Sequence, residues 1–170
     1  MLRSPPCMLP LPEWQALLSV LAESAATLTG LVFVAVSINL AKILSSPGLP
    51  GRAAESIAQF LQVFFICIAA LIPRQTTRAL AAEIIAVALL CWGLQMASQN
   101  NYARSRSGHP KWWLISRIVQ TQLGSVPLFV GAIYLLTGSP VGLYWLVPGF
   151  FFSFVAGILN AWILLIEINR

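Results

Sequence analysis

Charge is scarce in this chain of 170 residues. Asp, Glu, Lys and Arg make up 9% of it and hydrophobic residues 58%, so a water-soluble domain could not cover its surface. Histidine is scarcer still. His109 stands alone beside Pro110 in a polar connector, and no imidazole lies in an apolar run to hold haem, chlorophyll or a transition metal. The three cysteines, Cys7, Cys67 and Cys91, lack metal-ligand spacing. The last two sit within apolar runs, where a thiol packs as a small hydrophobe, and no structural disulfide is expected. Also missing are a glycine-rich phosphate loop, a paired metal-binding motif and a nucleophile elbow. Neither enzyme activity nor a cofactor is expected. The opening stretch MLRSPPCMLPLP is broken by four prolines before any hydrophobic region, unlike a cleavable signal peptide. The first crossing is expected to target the chain.

What the chain does have is long apolar blocks with short polar punctuation, the pattern of repeated membrane crossings. Pro12 and Glu13 read as a helix start, proline near the first position and an acid at the positive end of the dipole. The helical pattern then continues to about Leu44, a rise of about 48 Å, longer than the hydrocarbon core of about 30 Å. SSPGLPG breaks it, and four further apolar runs follow. The expected fold is all-α: a polytopic transmembrane bundle forming one membrane domain, with spans at about 17–42, 53–73, 79–98, 114–136 and 143–166.

Orientation follows from the basic residues. Lys42, Arg52, Arg104, Arg106, Lys111, Arg117 and Arg170 fall on one side of such a topology, and Arg3, Arg74 and Arg78 on the other. Their imbalance predicts a cytoplasmic C-terminus and an external N-terminus. The basic connector with Trp112 and Trp113 suits anionic lipid headgroups and an interfacial anchor. Since topology accounts for its charge, no nucleic-acid partner is expected.

Polar residues then acquire depth. Glu55, Gln59 and Gln62 recur at i, i+4 and i+7 on one face of span 2, and Arg117, Gln120, Thr121 and Gly124 do the same in span 4. Asn39, Gln95, Asn160 and Glu167 lie at comparable depth in spans 1, 3 and 5, so all five spans are expected to share an inner polar layer. Two readings fit it: hydrogen-bonded glue between helices, or a hydrated vestibule open to the cytoplasm. Glu55, taken as a first-turn acid with Arg52 three residues earlier, is explained by the helix dipole. Glu23 and Glu83 form an outer pair at one depth on spans 1 and 3. They either bind a cation or share a proton, or each reaches the headgroups or Arg74 and Arg78.

Small residues recur every four positions at Ala22, Ala26 and Gly30, and at Gly149, Ser153, Gly157 and Ala161. Such seams let backbones approach closely. The second is expected to join span 5 to span 1 or one protomer to another. Pro127 and Pro148 are expected to bend their helices.

The stretch AATLTGLVFVAVSINLAKIL followed by PGLPGRAAES resembles a family of small bacterial integral membrane proteins with similar first and second spans and no established activity. The resemblance covers about residues 22 to 60 and implies a bacterial inner (cytoplasmic) membrane location. With no chemistry in view, two functions are carried forward. One is a non-catalytic accessory or assembly subunit of a larger membrane complex, whose partners are other integral membrane subunits. The other is a homo-oligomeric ion channel or small-solute transporter built from copies of this chain around the polar layer.

Overall fold

The structure, a computed structural model, describes residues 11–45, 48–104 and 111–168, the side chains of 11, 12, 111 and 168 excepted. Arg3, Cys7, Arg106, His109 and Arg170 lie outside them. The described residues form six helices and no strand: α1 (Leu11–Ile38), α2 (Leu40–Ser45), α3 (Leu49–Ala70), α4 (Thr77–Arg104), α5 (Lys111–Leu136) and α6 (Gly142–Ile168). All but α2 are long and apolar enough to cross a membrane. The chain is therefore a multi-pass, all-α membrane protein, and its large outward-facing side chains, among them Phe33, Leu90, Phe151 and Trp162, are apolar as lipid requires.

Helices α3, α4, α5 and α6 pack in a ring, each against the next, and α6 closes back on α3. Helix α1 lies outside the ring against α3, which is consequently the most buried span. The α2–α3 and α4–α5 connections share one end of the bundle, called here the basic end for Lys42, Arg52, Arg104 and Lys111. The α3–α4 and α5–α6 connections share the far end, where Trp14 meets Tyr144 edge to face at 4.9 Å between centroids.

The hydroxyls in the second half of α1 are satisfied within their own helix. Thr27, Thr29 and Ser37 each donate a hydroxyl hydrogen bond to the carbonyl four residues earlier, at 2.8, 2.7 and 2.8 Å. Asn39 does so with its amide, to Ala35 O at 2.9 Å, where α1 ends and before α2 resumes. Ile43 of α2 then packs with Leu49, Ala53 and Leu164. Gly48, at φ +95°, caps α3. Any other residue would be strained there, and a Cβ would come within 2.6 Å of the Tyr102 ring.

Close backbone approach determines the α6 packing, with partners other than those expected. The seam does not join span 1: Gly149 faces Leu128 of α5, whose Cδ2 lies 2.5 Å from where a Cβ would stand, and Gly157 faces the Phe60 ring of α3 at 2.6 Å. Ser153 is buried and Ala161 half-buried on the same helix. Within the chain, the α1 seam is covered only at Ala22. Helix α1 enters the core through Leu18, Ala22, Ala25 and Val32, whereas Ala26 and Gly30 face outward, with no atom within 4 Å of a Cβ built at Gly30. The reason is spacing: those four residues, at intervals of four, three and seven, follow the true helical face better than a strict four-residue step, which drifts around the axis.

Candidate functional site: a polar core at the basic end

The ring is two-faced along its length. Toward the far end its interior is closed by Ile66, Ala70, Leu80, Ile84, Leu128 and Leu135, each at most 0% exposed, and their neighbours. Toward the basic end it is filled with polar side chains, arranged in steps along α3.

Arg52 is outermost. Its Nη1 donates to Asn160 Oδ1 of α6 at 3.3 Å, and its guanidinium lies over the Trp113 ring, 4.9 Å from the centroid. One turn deeper, Arg117 of α5 grips Glu55 with two hydrogen bonds, Nε to Oε2 at 3.0 Å and Nη2 to Oε1. The two side chains are 1% and 2% exposed. Nη2 also donates to Ser98 Oγ at 3.4 Å, and the guanidinium stands 4.8 Å from the Tyr102 centroid. Desolvating both ions is costly, and a fork-to-fork pair with further donors and an aromatic face is the arrangement that offsets it. The dipole account of Glu55 is thereby corrected. Helix α3 begins at Leu49, placing Glu55 beyond the first turn, and its partner is Arg117 rather than Arg52.

Below the ion pair, Ser56 donates to Gly157 O at 2.8 Å. Gln59 donates through Nε2 to Gln95 Oε1 at 2.7 Å, and the same oxygen accepts from Thr121 Oγ1 at 3.0 Å. Gln99 Nε2 donates to Thr121 Oγ1 at 2.9 Å. Deepest, Gln62 Nε2 donates to Ser153 Oγ at 3.2 Å, across a gap that Gly124 leaves open: a Cβ there would stand 2.9 Å from Ser153 Oγ.

The structure thus brings together Glu55, Gln59, Gln62, Gln95, Arg117 and Asn160 on four spans rather than five. Asn39 is excluded because α1 lies outside the ring and its amide bonds its own helix. Among the described residues Gln120 donates to Ser116 on its own helix, at 3.5 Å, and Glu167 is half-buried near the end of α6, where it acts electrostatically on Arg52. The outer carboxylates also part. Glu83 of α4 accepts from Gln75 Nε2 at 2.5 Å, and Glu23 is exposed on α1, with α3 packed against both of their helices. Neither forms an ion pair with Arg74 or Arg78 among the described residues.

Sequence reasoning missed the burial of Arg52, Ser56, Gln99 and Ser125. A signal existed for α4, where Gln95, Ser98, Gln99 and Tyr102 recur at i, i+3, i+4 and i+7. The core also holds hydrogen-bonding capacity in reserve: Gln59 Oε1, Gln62 Oε1, Gln95 Nε2, Gln99 Oε1 and Arg117 Nη1 are buried without a partner among the described residues. Above the core, a cavity of about 420 Å³ opens at the basic end, lined by Gly48, Pro50, Gly51, Ser98, Tyr102 and Arg117 among others. Compared with family models, curated proteins and solved structures, the chain matches none.

Proposed function

We propose that this chain is a non-catalytic accessory or assembly subunit of a larger membrane complex, docking through the outward face of α1. The observation carrying the reading is Glu23. Glu23, Ala26, Thr27 and Gly30 fall at i, i+3, i+4 and i+7, and all four are exposed, turned away from the core. Leu18 lines a hollow with Ala70 and Leu71 at the end of α3, so Glu23, five residues on, lies about 7.5 Å deeper at 1.5 Å per residue. A carboxylate at that depth, facing lipid without an ion pair among the described residues, calls for a cationic or hydrogen-bond-donating side chain from outside the chain. Ala26 and Gly30 beside it leave room for the backbone of a partner helix. By the resemblance and the basic-residue count, the setting is a bacterial inner membrane with the basic end in the cytoplasm.

The alternative, a homo-oligomeric channel, draws support from the unpartnered amides of the polar core. The apolar far half of the ring opposes a path through one protomer, so conduction would run between copies.

A photo-crosslinking residue at Gly30, in native membranes, tests the reading. The expected product is an adduct with a different, integral membrane chain, absent when the probe sits at lipid-facing Leu90 and lost in Glu23→Leu. Adducts only between copies of this chain would favour the channel, and an adduct that persists undiminished in Glu23→Leu would overturn the role of Glu23.

A further inference from the structure

We infer that the outward face of α1 docks a single transmembrane helix of another chain, and that this helix carries a Lys or Arg near the middle of the bilayer. The inference rests on the accessory-subunit reading and names the partner at the same face. Depth is its first ground. The Trp14 and Tyr144 rings meet at 4.9 Å at the far end, and Trp162 stands exposed on α6, 18 residues beyond Tyr144. At 1.5 Å per residue the two aromatic levels are about 27 Å apart, close to the hydrocarbon thickness of about 30 Å, and such rings favour the membrane interfaces. Glu23 lies nine residues beyond Trp14, about 13.5 Å along α1. It therefore sits near mid-depth, where a side chain as short as glutamate does not reach either headgroup layer.

Periodicity is the second ground. Ser19, Glu23, Ala26, Gly30, Phe33 and Ser37 alternate steps of four and three along α1, and all are exposed except half-buried Ser19. That spacing is the seam of left-handed helix packing at about +20°. It runs for about 27 Å, so the docked helix must itself cross the bilayer. Apart from Glu23 and Phe33 the seam is small, and no atom of the chain lies within 4 Å of a Cβ built at Gly30. On α6, by contrast, outward Phe151, Val155, Ile158 and Trp162 are all large, as contact with lipid alone allows. Charge then identifies the occupant, because small residues by themselves would accept any helix. Glu23 forms no ion pair among the described residues, and hydrocarbon offers it no counter-ion. A Lys or Arg brought to the same depth neutralises the carboxylate and is neutralised by it.

A benzophenone amino acid placed in turn at Ala26, Gly30 and Ser37 on the seam, and at exposed Val20, Leu31 and Ile38 off it, tests this in native membranes, with mass spectrometry of the adducts. The expected adducts come from the seam positions alone and join one transmembrane helix that contains a Lys or Arg. Glu23→Lys should cut their yield at least about tenfold, and replacing that Lys or Arg by Glu in the partner should restore it. Glu23→Gln keeps hydrogen bonding without the charge and should fall nearly as far. Because Glu23 is exposed outside the core, thermal unfolding of the isolated chain should be unchanged in both variants. Adducts with another membrane chain that are equal on and off the seam, or undiminished in Glu23→Gln, overturn the inference and leave the accessory-subunit reading standing. No adduct with another chain at any position overturns both.

Discussion

Glu55 and Arg117 show what a single pair does in this bundle. Neither ion has water to fall back on, and each satisfies the other in two directions. Glu55→Leu strands a buried guanidinium and is expected to lower stability by about 3–5 kcal/mol. In Glu55→Leu/Arg117→Met no unpaired charge remains, and much of that loss should return. Reversible unfolding in mixed micelles measures both, and equal losses in the single and double variants would show that the charges are not coupled. The glutamines are a different case. Gln59, Gln62 and Gln95 were legible as polar at a given depth, but an amide's partner is set by which helix arrives opposite it, and Gln59 meets Gln95 only because α4 packs beside α3.

At the scale of the element, α1 and α6 carry similar stripes of small residues and use them differently. Gly157 is filled from outside by the Phe60 ring and gives its carbonyl to Ser56. Gly30 meets nothing within the chain. Gly157→Leu is therefore expected to push α6 from α3, with an overpacking loss of about 1–3 kcal/mol, whereas Ile158→Leu on the exposed neighbouring position should stay within about 0.5 kcal/mol. Thermal unfolding in detergent and in lipid compares them, and a Gly157→Leu protein as stable as Ile158→Leu would remove the seam's packing role. The four-residue repeat could be read from sequence in both helices. Its use could not, because whether a small residue is covered depends on a partner surface the repeat does not specify.

For the whole molecule, the distribution of basic residues predicts that the end with the α2–α3 and α4–α5 connections faces the cytoplasm. Single cysteines at Ser46 and Ser107, in a background lacking Cys7, Cys67 and Cys91, should resist an impermeant thiol reagent applied from outside the cell, and one at Thr76 should react. The reverse pattern would invert the topology. The sequence by itself determined the all-helical membrane character and the five crossings, because hydropathy acts locally and over lengths that match a bilayer. Only the tertiary structure decided that four spans close a ring with α1 outside it, that Glu55 belongs to Arg117, and that the polar residues end in an apolar half rather than crossing the protein. Helical periodicity states which way a side chain points. What it meets there depends on contacts between residues as distant in the chain as Glu55 and Arg117, and those are chosen by packing among helices that are all equally apolar toward lipid.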